Sequence, residues 1–194
     1  MTGVQTCALP ISALIASEAR KLIDYSGDAP AITVEDVAEV TSETPEEKVF
    51  KLVDAIAAGN AAMALRLLSD LFDTADEPGG AAPRTLSMIA RQFRLVWQAK
   101  MLIEVGVRVF SKDKTPDEVQ AMLPSQPNLL DTVSRQPWMG ERLSRQARSV
   151  SRSDLTRAFG AMAKADRMLK GVDGDVEDPR AIMELLVVEL CGDG

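Results

Sequence analysis

The sequence predicts an all-α fold, and three observations predict it. Hydrophobic residues make up 46% of the chain but aromatic ones only 4%, with Ala and Leu dominant. Such side chains lose little rotamer freedom in a helix, so this balance favours helix over sheet. Apolar residues recur at three- and four-residue spacing in one segment after another, while no alternating strand pattern runs longer than a few residues. Helix starts, written as proline or a short polar residue ahead of an apolar stripe, punctuate the chain throughout.

The elements follow in order. The first eleven residues, MTGVQTCALPI, read as a translated sequencing adaptor, so residues 1–11 are set aside as a non-native segment and Cys7 is given no role. On that reading the natural chain begins upstream of Ser12. Residues 13–25 place Leu14, Ala19, Leu22 and Ile23 on a helical stripe that ends at Ser26-Gly27-Asp28. Thr33, with Asp36 three positions on, is a near-match to a capping box for a short helix, and Thr41-Ser42-Glu43 is a polar link. Thr44-Pro45-Glu46-Glu47 supplies a cap hydroxyl, a proline for the first turn and a glutamate. The stripe behind it is Val49, Leu52, Val53 and Ile56, closed by Gly59-Asn60. A second helix with Leu65, Leu68, Leu71 and Phe72 inward follows at once, and so short a break predicts a helical hairpin.

Asp76 to Gly80 is a loop by composition. Pro83 opens a helix of roughly 25 residues, about 38 Å long at the helical rise, with Leu86, Ile89, Phe93, Val96, Trp97, Ile103 and Val107 inward. Thr115-Pro116-Asp117-Glu118 repeats the capping signature for a short helix to Leu123, and Pro124, Pro127 and Pro137 punctuate short irregular helices. Ser151-Arg152-Ser153-Asp154 caps a helix carrying Leu155, Phe159, Met162 and Leu169. After an acidic loop, Asp178-Pro179 opens a last helix with Ile182, Leu185, Leu186 and Leu190 inward. Trp97 and Trp138 lie among apolar neighbours and read as core anchors rather than base-stacking platforms.

Several chemistries are disfavoured at this level. There is no histidine, and Cys7 and Cys191 are the only cysteines, so neither a zinc site nor a histidine-based nucleophile has its parts. No cofactor is expected. Two distant cysteines make no disulfide framework, which fits a reducing cytoplasm. The N-terminal apolar run is broken by Pro10 and lacks a basic start, and no stretch reaches the ~18 apolar residues of a membrane helix. The phosphate-cradling G-x-x-x-x-G-K-S/T loop is absent, and Gly79-Gly80 reads as a plain interhelical loop.

Charge is unevenly spread. Residues 1–82 hold 5 Lys/Arg and 14 Asp/Glu, residues 83–170 hold 16 and 8, and residues 171–194 hold 1 and 7, within a formal net charge of −7. In the basic middle, Arg142, Arg145, Arg148, Arg152 and Arg157 form an arginine-rich stretch whose first three members fall on a slanted helical row. A solvated face, a subunit interface and a nucleic-acid contact all remain open, the first being favoured. Asp166 shares a helical face with Phe159, Met162 and Leu169, where a carboxylate is costly unless paired. Lys170, four residues on, is the expected partner in a structural ion pair.

These residues also resemble a family. ARKLIDYSGDAPAITVEDV is similar to the end of the AAA+-type lid in bacterial DNA polymerase III delta subunits, and VFKLVDAIAAGNAAMALRLLSDL to the first helical pair of their collar domain. IARQFRLVWQAKML resembles the family's L-x-R-Q-x-R-x-L helix, and SRQARSVSRSDLTRAFGAMAKADRMLKG its Q-A-R and A-D-x-x-L-K-G segment, in family order. The segment from Ser111 to Pro137 fits least well.

The resemblance implies that residues 12–43 end a lid-like helical domain and that residues 44–194 form a collar, a helical bundle that assembles with delta-prime and gamma/tau in the clamp loader of the cytoplasm. It implies contact with DNA only indirectly, through the complex, and no membrane partner. The family's clamp-opening surface lies in an N-terminal domain this chain lacks, so the sliding clamp is not expected as a partner. Polymerase (nucleotidyltransferase) activity would belong to the holoenzyme, and no intrinsic activity or catalytic residue is expected. The alternative is a helical nucleic-acid-binding module using Arg142 to Arg157.

Overall fold

The computed structural model of the chain describes residues 11–27, 29, 31–33, 36–37, 45–73, 80–172 and 178–192. It divides into two compact units, residues 1–44 and 45–194. Among the described residues every regular element is helical. In the first unit, α1 spans Ile11–Ser26 and stops at Gly27, whose positive φ of 52° favours a residue without a Cβ. Ile23 on its expected stripe is exposed and Leu22 half-buried. Thr33 and Asp36 bond reciprocally: the Asp36 amide donates to Thr33 Oγ1 at 3.1 Å and the Thr33 amide to Asp36 Oδ2 at 2.8 Å. The adaptor-like residues 1–10, the expected cap Thr44 and the loop residues 74–79 and 173–177 lie outside the described residues.

The second unit is a helical bundle. It opens with a hairpin of α2 (Pro45–Ala57) and α3 (Ala61–Asp73). Val49, Leu52, Val53 and Ile56 are all in the core, as their spacing predicts, and Phe50 joins them. Gly59, at φ +66°, turns the chain, and Asn60 caps α3 by accepting from the Met63 amide at 3.0 Å. Along α3, Ala64, Leu68 and Leu71 are buried, while Leu65 and Phe72 are only partly covered.

The long helix α4 (Ala81–Glu104) begins two residues before the expected Pro83 and ends as Gly106 takes φ +88°. A 3₁₀ turn (Lys112–Lys114) and the short helices α5 (Asp117–Ala121) and α6 (Leu129–Arg135) follow. The bundle is completed by α7 (Trp138–Ser149), α8 (Arg152–Leu169) and α9 (Pro179–Cys191). Helix α4 packs against α2, α3, α6, α7, α8 and α9. It is therefore the hub of the bundle and buries far more than one stripe: Thr85, Gln92, Leu95, Gln98, Ala99 and Leu102 lie inside as well as Leu86, Ile89, Phe93 and Val96. Fully burying one such large apolar side chain contributes about 1.5–3 kcal/mol, so truncating the wholly buried Leu95 to Ala costs about 2–5 kcal/mol once the cavity is included.

Three expectations are corrected. Thr115 does not cap α5: it is buried, and its hydroxyl donates back to the Ser111 carbonyl at 2.8 Å, leaving Pro116 as an N-cap residue without a side-chain cap bond. Leu185 is 66% exposed, because the face of α9 turned to the core is Ile182, Met183, Leu186 and Val187, and Leu185 lies beyond its edge. Trp138 is 45% exposed, packing edge-on against Phe50 at 5.4 Å between centroids rather than anchoring the core. Trp97, by contrast, packs edge-on against Phe159 at 5.8 Å. The starts of the last two long helices are as their sequences indicate. Ser151 and Asp154 form a complete capping box on α8, and Asp178 Oδ1 accepts from the Arg180 amide at 2.9 Å ahead of Pro179 on α9.

Candidate interaction surface

The arginine-rich stretch occupies α7 and the start of α8, and intramolecular carboxylates engage most of it. Arg142 Nη2 lies 3.3 Å from Asp54 Oδ2 on α2, with its guanidinium 5.0 Å from the centre of the Phe50 ring and 5.9 Å from that of Trp138. Arg145 faces Glu141 one turn back at 3.9 Å. Arg152 donates through Nε to Glu104 Oε2 at 2.7 Å and also through Nη2, which ties α8 to the end of α4. That bond and the Glu104 charge hold the Arg152 pKa above its ordinary value. Arg157 meets Asp154 at 3.2 Å. Arg148 is exposed and has no acidic partner among the described residues. Further along α8, Lys170 Nζ lies 2.6 Å from Asp166 Oδ2 at the half-exposed end of the helix.

Beneath the arginines runs a buried polar relay that sequence reading did not single out. Gln92 of α4 donates to Gln146 of α7 at 2.7 Å, and the Gln146 amide in turn donates to Asp54 Oδ1 at 2.7 Å and reaches the Phe50 carbonyl at 3.4 Å. Both glutamines are 3% exposed. A buried amide must find partners, so these bonds fix the register of α2, α4 and α7. Gln98 does the same for the segment before α6: its amide donates to the Pro127 carbonyl at 2.8 Å and its Oε1 accepts from the Leu129 amide at 2.8 Å. The only sequence signal was a glutamine falling between core positions of a helical stripe.

Further surface features bear on partners. A groove of about 570 Å³ lies between α4 and α6, walled by Ser87, Arg91, Arg94, Thr132 and Arg135 and closed by the loop at Ser125–Asn128. Its one acid, Asp131, is held by Lys112 at 2.6 Å, and the hydrogen bond and charge of that lysine lower the Asp131 pKa. Next, α9 presents Leu185 and Val188 outward, 66% and 47% exposed. Last, a cleft of about 410 Å³ is lined by Val53, Gly59, Arg157, Ala158 and Cys191. Burial pushes the Cys191 thiol up, away from a reactive thiolate.

Among the described residues no three acidic or cysteine side chains gather to hold a metal, and no helix is long and apolar enough to cross a membrane. The carboxylates near the arginines are engaged in capping or ion pairs. The class this defines is an all-helical bundle, whose side chains lock helices together inside and offer charge and apolar surface outside.

Comparison with known proteins gives the relationship. Residues 46–111 match the family described as DNA polymerase III delta subunit, C-terminal domain. The chain is 24% identical over 176 residues to DNA polymerase III subunit delta of Bacillus subtilis strain 168, an alignment that covers 91% of this chain and 44% of that protein. It shares its fold with the solved Bacillus subtilis DNA clamp loader delta protein at a TM-score of 0.65 and 22% identity, over 93% of this chain and 46% of that one. The chain is thus similar to the C-terminal part of DNA polymerase III delta subunits and spans less than half the length of the relatives it matches.

Proposed function

We propose that this chain acts in DNA replication as the collar portion of a clamp-loader delta subunit. In this reading residues 44–194 pack against the collars of delta-prime and gamma/tau, and residues 12–43 end an AAA+-type lid. The assembly works in the cytoplasm to place a sliding clamp on primed DNA, and the chain contributes structure rather than catalysis. The carrying observation is the outward pair Leu185 and Val188 on α9, apolar surface that the bundle's own core does not use, while Ile182, Met183, Leu186 and Val187 of the same helix are buried in it. Apolar side chains at the centre of an excluded patch are what subunit interfaces bury.

Mixing the chain with delta-prime and gamma/tau at micromolar concentration and resolving the mixture by size-exclusion chromatography tests this. Co-elution is expected for the chain as it stands, and its loss in the double variant Leu185→Glu, Val188→Glu with thermal unfolding unchanged. Failure of the unaltered chain to co-elute sinks the proposal. The alternative nucleic-acid module built on Arg142 to Arg157 is less well supported, because four of its five arginines already face carboxylates of the same chain.

A further inference from the structure

We propose that the groove between α4 and α6 binds the sugar-phosphate backbone of a nucleic-acid strand without reading its sequence. Ser87, Arg91 and Arg94 stand at four- and three-residue spacing, which puts them on one face of α4. Thr132 and Arg135, three apart, line the same groove from α6. Arg91, Arg94 and Arg135 have no ion-pair partner among the described residues, in contrast to Arg142, Arg145, Arg152 and Arg157. Among the described residues the groove's single carboxylate is Asp131, which pairs with Lys112 while its charge also reaches Arg135. In the adjoining groove on the other side of Arg94, Asp166 is likewise held by Lys170. The guanidinium groups therefore face a groove whose neighbouring acids already hold lysine partners.

The rest of the lining says which anion fits. Ser87, Ser125 and Gln126 supply hydroxyl and amide donors, the Thr132 hydroxyl being given to the Asn128 carbonyl at 2.7 Å, and among the described residues the only apolar contributor is Pro127. A protein partner would look for an apolar anchor pocket, and none is here. Arginine with Ser, Thr, Asn and Gln is the set that contacts phosphate and sugar oxygens, and guanidinium forks suit them bidentately. Among the described residues no aromatic side chain lines the groove, so bases find no stacking platform there and recognition stays with the backbone. The wall is built rather than incidental: Gln98, buried beneath it, pins both Pro127 and Leu129, and Asn128 ties itself to Pro124 and Asp131. The inference stands on this groove alone and is independent of how the chain assembles with other subunits.

The test is fluorescence anisotropy of a labelled oligo-dT with the full 194-residue chain, from about 50 to 200 mM salt. Salt-dependent binding is expected, insensitive to replacing oligo-dT by a mixed sequence. The triple variant Arg91→Ala, Arg94→Ala, Arg135→Ala, checked for unchanged helicity by circular dichroism, should bind at least about tenfold more weakly and flatten the log–log salt slope by up to about 2, three single-strand phosphate contacts' worth. The corresponding triple Lys variant should retain most of the affinity. Absence of binding, an unchanged salt slope in the Ala variant, or equal loss from Arg145→Ala, Arg148→Ala would overturn the assignment. Displacement of the oligonucleotide by poly-glutamate at equal charge would reassign the groove to an acidic protein.

Discussion

Replacing Gln146 with Met keeps the side chain's length and removes its amide, which isolates what the buried relay contributes. In the native bundle Gln146 accepts from Gln92 and donates to Asp54, both at 2.7 Å. Without it the Gln92 amide, 3% exposed, keeps no acceptor, and an orphaned buried donor costs about 1–3 kcal/mol. Asp54 loses one donor but keeps Arg142, and its side chain is 41% exposed, so water limits that loss to about 1 kcal/mol. The expected total is about 3 kcal/mol, set against the 5–15 kcal/mol, roughly, that holds a domain folded. With a urea slope of about 2 kcal/mol per molar, the unfolding midpoint should fall by about 1.5 M. The double variant Gln92→Met, Gln146→Met leaves no orphaned amide and should be more stable than Gln146→Met alone, with a coupling of about 2 kcal/mol in the cycle. A double variant as unstable as the two single losses added together would refute the reasoning.

Other expectations are as direct. Gln98→Ala frees the Pro127 carbonyl and the Leu129 amide, so hydrogen exchange at Leu129 should quicken by at least about tenfold, with roughly 2 kcal/mol lost overall. Ser151→Ala should cost about 1 kcal/mol at neutral pH in chemical denaturation. Bonds from the Ser151 hydroxyl and amide lower the Asp154 pKa, so this contribution is present above the unfolded carboxylate value of about 3.9 and fades as pH falls through the lower folded value. The gap between variant and native protein should therefore narrow in acid. At Gly59 an added Cβ would meet only the Cys191 carbonyl, at an ordinary 3.7 Å, so the penalty is the positive φ itself. Gly59→Ala should cost about 1–2 kcal/mol in thermal unfolding and Gly59→Asn less, because asparagine tolerates that backbone.

What was legible in the sequence was what is local. The stripe Val49, Leu52, Val53, Ile56 is read from spacing alone, and the box at Ser151 and the cap at Asp178 close within three residues, so no tertiary knowledge is needed to find them. Helix α4 defeated single-stripe reading because six other helices surround it, and Thr85, Gln92 and Gln98 are inside for that reason. Their partners sit far along the chain: Gln146 is 54 residues from Gln92, and Leu129 is 31 from Gln98. The same distance hid the fate of the arginines, since Arg142 finds Asp54 across 88 residues and Arg152 finds Glu104 across 48. Nor could spacing show that Arg135 lines the groove of Arg91 and Arg94, because two separate helices have to be brought together first.

The last helix of the bundle leans on the first two. Helix α9 packs against α2 and α3, so the opening hairpin is covered by a segment synthesised well after it. A nascent chain that has emerged only as far as the loop before Pro179 thus carries an uncovered flank on its earliest helices, and the bundle cannot close cotranslationally from the front. A pause or premature stop near that point would present a sticky, chaperone-seeking intermediate in place of a smaller stable domain.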